Sequence, residues 1–175
     1  EKKSDPGALL LRAAELANLA VFKSALEKPE RRGMGTTLTA VLPTGKKLIF
    51  AHIGDSRAYL YRQGKLTQLT EDHSVVAEMV RSGRLRPEEA ETHPARSILT
   101  RALGTEPQGK IDLLSQEVEK GNRVLLCTDG LNSMVGEEQI REILAQTIPL
   151  DEICKQLIAR ANASGGYDNI TVVLV

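Results

Sequence analysis

Two aspartates near the end of the chain each adjoin an apolar run. Asp129 follows RVLLC, and Asp168 precedes the stretch that ends in ITVVLV. If these runs form neighbouring antiparallel strands, the end of one lies beside the start of the other, and both carboxylates meet at one sheet edge. Two carboxylates about 4 to 5 Å apart repel each other, so such a pair favours a shared proton or a bound cation. With further aspartates nearby, we expect a cation.

Each of these residues also has a purely structural interpretation. TDG, YDN and the GDS around Asp55 are ordinary turn sequences, and most Asp-Gly pairs are only turns. His52, His73 and His93 are interpreted as hydrogen-bonded structural residues, because no two of them have the spacing of metal ligands on one element. Taken one at a time, none of these residues establishes a site.

The first element that could position them is a helix over residues 5–28. Asp5 is its expected N-cap and Pro6 its first helical residue. Apolar residues recur at helical spacing and predict the face that packs on the rest of the protein: Leu9, Ala13, Leu16, Ala17, Ala20 and Val21.

Sequence of β type follows and predicts a three-stranded antiparallel meander over residues 34–70. Its turns are expected at Thr-Gly in PTGK and at Gln-Gly in RQGK. The first turn would place Thr36 opposite Ile53, and the second would place Asp55 opposite Asp72. The Asp55 segment is therefore expected at one end of this sheet.

The rest of the chain alternates helix and strand patterns. Residues 74–103 look helical and irregular, and a connection of this length is more often functional than idle. IDLLSQEV, NRVLLCTDG and NITVVLV are predicted strands, while GEEQIREILAQ and LDEICKQLIARANA are predicted amphipathic helices. Runs such as VLL and VVL are apolar on both faces, which indicates covered sheets. We predict an α+β fold of two packed antiparallel β-sheets flanked by helices.

Composition excludes several classes of protein. The 175 residues suit one domain, and the 23 basic and 23 acidic residues give no attraction to nucleic acid or to anionic lipid. With 3% aromatic residues, base-stacking surfaces are not expected. The chain shows no apolar run long enough for a membrane span, and Cys127 and Cys154 are interpreted as buried, reduced thiols. We therefore expect a cytoplasmic protein with no nucleic-acid or membrane partner in this segment.

Five motifs occur in a fixed order along the chain: RGMGTTL, AHIGDSRAYLYRQGKLTQLTEDHS, HPARSILTRALG, RVLLCTDGL and YDNITVVLV. Together they resemble the successive motifs of bacterial type 2C (PPM) protein phosphatases, from about residue 5 to residue 175. The resemblance implies a β-sandwich with a manganese or magnesium cluster at one end. It also implies hydrolysis of phosphoserine and phosphothreonine in proteins by a metal-activated water. The implied partners are phosphorylated proteins and a cognate Ser/Thr kinase, and the complete protein is expected to be a monomer.

The resemblance also assigns roles to single residues. Asp129 and Asp168 match the ligands of one ion of a central pair of Mn²⁺ or Mg²⁺ ions, and Asp55 matches the residue that holds a third, weaker ion together with Asp129. Asn169 matches a residue beside the metal-bound waters. An all-carboxylate site suits such hard ions, whereas zinc prefers Cys and His. No covalent phosphoenzyme is required, in agreement with an interpretation in which neither cysteine belongs to a Cys-x5-Arg motif.

Residues 75–98 match the family's flap, a segment associated with substrate choice. Five of its residues are candidates for that role: Val75, Met79, Arg81, His93 and Arg96. We expect residues 1–175 to form one type 2C domain, with the flap as a subdomain within it.

The front of the sequence departs from the family pattern. The family's N-terminal strands, its phosphate-gripping Arg and the DG motif whose Asp bridges both central metals have no counterpart, since Arg32 precedes GMG. We therefore expect the chain as given to be an N-terminally truncated, inactive domain. One alternative is a catalytically inactive regulatory or phosphoprotein-binding module. Another is a sporulation or stress-response phosphatase, against which the full GDSRAYLYR motif and flap argue.

Overall fold

The computed structural model describes residues 5–90 and 92–175. The α-helices of this part are α1 (Pro6–Glu27), α2 (Val75–Arg81), α3 (Pro87–Ala90), α4 (Asp129–Asn132), α5 (Glu137–Leu144) and α6 (Leu150–Ala163), with a 3-10 helix at Pro29–Arg31. The strands are β1 (Leu38–Thr44), β2 (Lys47–Ile53), β3 (Arg57–Arg62), β4 (Lys65–Gln68), β5 (Asp112–Glu117), β6 (Arg123–Cys127) and β7 (Val172–Leu174). Among the described residues, no helix has both the length and the apolar character needed to cross a membrane.

The chain divides into two compact units, each with its own antiparallel sheet. The first unit runs to Asp55 and resumes over Asp72–Val118, and its sheet has the order β1-β2-β5. The second comprises Ser56–Glu71 and Glu119–Val175, and its sheet has the order β4-β3-β6-β7. The first three helices lie in the first unit and the last three in the second. The prediction of two antiparallel sheets accompanied by helices is confirmed.

The predicted meander is wrong at one point. Strands β2 and β3 are not one continuous strand, because the chain bends at residues 54–56 and enters the second sheet. Gly54 adopts a φ of 113°, a conformation that residues with a Cβ rarely adopt. Patterns of alternating apolar residues continue through such a bend, so periodicity alone did not reveal it.

The two predicted turns had different outcomes. The β3–β4 hairpin closes at Gln63 and Gly64, both with positive φ, and its register agrees with the prediction. In the first hairpin Leu38, not Thr36, lies opposite Ile53. The loop there is residues 45–46 rather than 44–45, with the glycine first, which is where a two-residue type II′ turn requires it.

Helix α1 begins as predicted but buries a different face. Asp5 is its N-cap, and its carboxylate accepts a hydrogen bond from the Gly7 amide. The buried residues are Gly7, Ala14 and Asn18, whereas Leu9 and Leu16 are 56% and 51% exposed. The predicted apolar stripe is therefore wrong, and of the six residues in it only Val21 is half-buried.

Asn18 explains why a polar residue marks the buried face of α1. Its side-chain oxygen accepts a hydrogen bond from the Gly104 amide at 2.7 Å, and its amide nitrogen donates to the Glu106 carbonyl at 2.9 Å. A Cβ at Gly104 would lie 2.2 Å from Val21, and one at Gly109 would lie 2.7 Å from Asn18. The helix thus packs closely on a loop whose backbone polar groups need a partner.

The second unit has an aliphatic core beneath its helices, as the low aromatic content suggests. The buried cluster comprises Tyr59, Leu125, Cys127, Leu131, Val135, Ile140, Leu144, Ile153, Leu157 and Ala161. The α6 members of this cluster repeat every four residues, so α6 is amphipathic as predicted. Neither cysteine forms a disulfide with a described residue. Cys127 is buried as predicted, whereas the prediction for Cys154 is wrong, since it is half-buried on α6.

Candidate metal centre

Strands β6 and β7 bring the segments that carry Asp129 and Asp168 to one sheet edge. The strands pair antiparallel with Cys127 opposite Val172, and the pairing continues with a hydrogen bond of 3.1 Å from the Thr128 amide to the Thr171 carbonyl. Asp129 is the first residue of α4, and Asp168 lies in the loop that leads into β7. The predicted strand pairing is therefore confirmed.

The loop before β7 is fixed by Thr128. The Thr128 hydroxyl donates to the Asn169 carbonyl and accepts from the Thr171 amide, both at 3.0 Å. The loop also has an internal contact, since the Asp168 carboxylate accepts a hydrogen bond of 2.7 Å from the Asn169 amide. These bonds hold the main chain at Asn169 and Thr171, directly after the exposed Asp168.

Gly130 permits the close approach of this loop to α4. A Cβ at Gly130 would lie 2.4 Å from the Asn169 carbonyl oxygen and 3.0 Å from its carbon. Only a residue without a side chain fits there. Thr128 and Gly130 are site residues that were not predicted, although TDG directly after a buried strand is a signal for both.

The donor atoms in this unit are compatible with a hard divalent cation. Asp129 is half-buried and Asp168 is exposed, and both offer carboxylate oxygens. Magnesium-type ions commonly bind through one or two carboxylates and complete their shell with water. Across the described residues 5–90 and 92–175, no three His, Cys, Asp or Glu side chains form a ready-made metal cluster. The two carboxylates thus fit part of a metal shell.

Asp55 belongs to the first unit, at the bend that follows β2. It is half-buried, and the preceding Gly54 is packed against Thr37, so that a Cβ at Gly54 would lie 2.7 Å from the Thr37 Cβ. Asp129 belongs to the second unit. The role of Asp55 as a ligand shared with Asp129 remains a prediction.

A buried histidine lies next to the Asp55 bend. The His73 side chain is fully buried, and its Nδ1 accepts a hydrogen bond of 3.0 Å from the Gly54 amide. Its Nε2 lies 3.1 Å from an Asp112 carboxylate oxygen. His52 is also fully buried, with its Nδ1 3.0 Å from the Thr39 hydroxyl. The prediction that these two histidines are hydrogen-bonded is confirmed.

The electrostatics of this cluster keep His73 neutral. Burial lowers the pKa of His73 to about 4, and the positive charge of Arg101 acts in the same direction. Burial alone would raise the pKa of Asp112, but hydrogen bonds from Arg101 and His73 outweigh it and lower that pKa. The result is a neutral imidazole beside an ionised carboxylate.

The predicted flap is a segment of the first unit whose two ends lie next to each other. Its ends are joined by a bridge between Ser74 and Leu99. Apart from Glu91, which lies outside the described residues, the segment contains α2, α3 and irregular chain. Val75, Met79 and Arg81 lie on α2, and His93 and Arg96 lie after α3. Its role in substrate choice remains a prediction.

Cys154 requires a correction, since Arg160 follows it at the Cys-x5-Arg spacing. Both residues lie on helix α6, where six residues turn the chain by about 600°, so the two side chains point about 120° apart. Burial raises the pKa of the Cys154 thiol. The spacing therefore does not form a thiolate site for phosphate.

A model of the family "Protein phosphatase 2C" matches residues 8–162. The chain belongs to the protein phosphatase 2C family. It is 40% identical over 166 residues to the serine/threonine phosphatase Stp of Listeria monocytogenes, covering 95% of this chain and 66% of that protein. It is 44% identical over 174 residues to the serine/threonine protein phosphatase PstP of Mycobacterium tuberculosis, covering 97% of this chain and 34% of PstP. This protein phosphatase 2C chain thus spans less than two thirds of either relative.

Solved structures agree with this membership. The fold matches the catalytic domain of the phosphatase PstP in complex with two manganese ions, with a TM-score of 0.89 and 42% identity. The match covers 99% of this chain and 72% of that one. The predicted type 2C phosphatase fold is confirmed.

Proposed function

We propose that the natural protein containing this chain removes phosphate from phosphoserine and phosphothreonine residues of other proteins, with Mn²⁺ or Mg²⁺ as cofactor. The observation that carries this proposal is the β6–β7 edge, where antiparallel pairing brings the Asp129 and Asp168 segments together in a protein phosphatase 2C chain. The relatives Stp and PstP are named for the same activity.

In this proposal Asp129 and Asp168 hold one ion of a central pair, and Asp55 contributes to a third, weaker site. The hydrogen bond from Thr128 and the close packing on Gly130 fix the main chain that follows Asp168. Metal binding then requires little further ordering of this loop. Asn169 would lie beside the metal-bound waters. When bound, such ions supply an acidic water for attack on phosphorus and positive charge that neutralises the phosphoryl oxygens.

The substrates in this proposal are phosphorylated proteins, including a cognate Ser/Thr kinase and its targets, in the cytoplasm. The 75–98 segment would select among them through exposed residues such as Arg81 and Arg96, whose positive charge suits phosphorylated or acidic peptides. We propose that the complete protein works as a monomer.

The test is phosphate release from a phosphothreonine peptide by the natural full-length protein. We expect activity with Mn²⁺, loss of activity in excess chelator, and recovery when Mn²⁺ is restored. Full activity in excess chelator would refute the proposal. Binding of a phosphopeptide without hydrolysis, at saturating Mn²⁺, would instead support the regulatory module.

A further inference from the structure

His73 makes two hydrogen bonds to Gly54. Its main-chain amide donates to the Gly54 carbonyl at 2.8 Å, and its Nδ1 accepts from the Gly54 amide at 3.0 Å. Both bonds lie in the first unit, immediately before Asp55. The main chain that leads into Asp55 is thus held by one buried residue, through its main chain and its side chain.

The hydrogen bonds also determine the tautomer of His73. Because Nδ1 accepts from an amide, the proton of the neutral ring is on Nε2, which faces the Asp112 carboxylate at 3.1 Å. Arg101 in turn donates from both terminal nitrogens to Asp112, at 2.7 and 3.2 Å. Asp112 therefore accepts hydrogen bonds from Arg101 and from His73, while His73 accepts one from Gly54. The low pKa of His73 agrees with a neutral ring in this arrangement.

His73 also takes part in the pairing at the base of the 75–98 segment. Its carbonyl accepts a hydrogen bond of 2.8 Å from the Thr100 amide, and the next pairing joins the Val75 amide to the Ile98 carbonyl at 2.9 Å. The same residue that holds Gly54 thus closes the base of the segment.

We propose that His73, oriented by Asp112 and Arg101, is a positioning residue that fixes the main chain beside Asp55 and links it to the base of the 75–98 segment. The inference rests on the proposed function, because it takes Asp55 to be a metal ligand. Loss of the Gly54 hydrogen bond should loosen Asp55 and weaken the ion that it helps to hold.

Two substitutions of His73 distinguish the side-chain hydrogen bond to Gly54 from the side-chain hydrogen bond to Asp112. In His73→Asn, the side-chain oxygen occupies the Nδ1 position and can still accept from Gly54. In His73→Gln, the side-chain amide reaches the Nε2 position and can still donate to Asp112, but the Gly54 amide loses its acceptor. Both variants carry a neutral amide side chain, and only His73→Asn keeps an acceptor for the Gly54 amide.

The first readout needs neither metal nor activity. Amide hydrogen exchange at Gly54, measured by NMR on the metal-free protein, should accelerate about tenfold in His73→Gln and by less than about threefold in His73→Asn. If His73→Gln fails to fold, Asp112→Leu replaces it, since it removes the group that orients the ring and should also accelerate exchange at Gly54. Equal exchange in the compared variants would overturn the proposal.

The second readout is the Mn²⁺ concentration that gives half-maximal phosphatase activity in the full-length protein. It should rise about tenfold in His73→Gln and little in His73→Asn, and the rise should vanish in an Asp55→Ala background. A rise that persists undiminished without Asp55 would overturn the positioning role. If the unsubstituted protein shows no Mn²⁺-dependent activity, the proposed function fails while the Gly54 exchange result still stands.

Discussion

Gly130→Ala should damage the proposed metal centre through the main chain, without altering a carboxylate. The new Cβ would lie 2.4 Å from the Asn169 carbonyl oxygen, whereas an ordinary contact needs about 3.4 Å, so the loop that carries Asp168 must retreat by about 1 Å. The displaced oxygen is also the acceptor of the Thr128 hydroxyl. The substitution therefore disturbs both the packing of the loop on Gly130 and its hydrogen bond to Thr128.

The expected cost is worked out from that displacement. Overpacking of this kind destabilises proteins by about 1 to 3 kcal/mol. A misplacement of about 1 Å in a catalytic group lowers turnover by roughly 100-fold, which corresponds to about 2.7 kcal/mol in the activation barrier. We expect both effects in Gly130→Ala, measured by urea unfolding and by phosphate release from a phosphothreonine peptide at saturating Mn²⁺.

Gly136→Ala is the matched control in the same unit. An added Cβ there meets nothing within 4 Å, and Gly136 has a φ of −64° that alanine adopts freely. Alanine is a poorer N-cap than glycine, but it also lowers the conformational entropy of the unfolded chain. The two effects oppose each other, so the free energy of unfolding should change by less than about 1 kcal/mol. If Gly130→Ala retained the turnover and stability of Gly136→Ala, the close approach between Gly130 and Asn169 could not be positioning the site.

Three further predictions concern the first unit. Neutral His73, which faces Asp112, Arg101 and His52, contributes stability that is complete above its ordinary pKa of about 6.5 and is lost as the pH falls toward its folded-state pKa of about 4. Urea unfolding at pH 7 and at pH 4.5 should therefore show a loss of about 2 kcal/mol that is absent in His73→Asn. Asp55→Ala should lower turnover while calorimetry still finds the tight metal sites, and loss of those sites would contradict its assignment to a third ion. Shortening of the 75–98 segment should change the preference among phosphopeptides more than the rate on a small aryl phosphate, and equal effects on both would argue against substrate selection.

Local signals predicted the parts of the fold that depend on neighbouring residues. The Gln63–Gly64 turn fixed the β3–β4 register, because two consecutive positive-φ residues allow one hairpin geometry. For this hairpin the information lay within a few residues of the turn. The β6–β7 pairing is long-range: the two apolar runs beside Asp129 and Asp168 predicted strands, and their antiparallel pairing was an assumption that the structure confirms.

Features that depend on distant residues escaped the sequence analysis. The His73–Asp112 contact joins residues 39 positions apart, and nothing near either residue indicates it. The buried face of α1 was misassigned because Asn18 forms hydrogen bonds to main-chain groups of a loop more than 80 residues away. The contact is therefore made by a polar residue, which an apolar pattern does not detect. Hydrophobic periodicity measures only what a helix could bury, whereas tertiary packing determines what it does bury.

The central claim is that Asp129 and Asp168 bind the metal required for phosphate hydrolysis. Its most direct test is Mn²⁺ titration of the full-length protein, by calorimetry and by activity, for Asp129→Asn and Asp168→Asn, with Asp151→Asn on the exposed face of α6 as the control. We expect each of the first two variants to lose turnover and Mn²⁺ affinity with little change in urea unfolding, and the control to match the unsubstituted protein. Normal Mn²⁺ affinity and turnover in both Asp129→Asn and Asp168→Asn would show that the metal binds elsewhere.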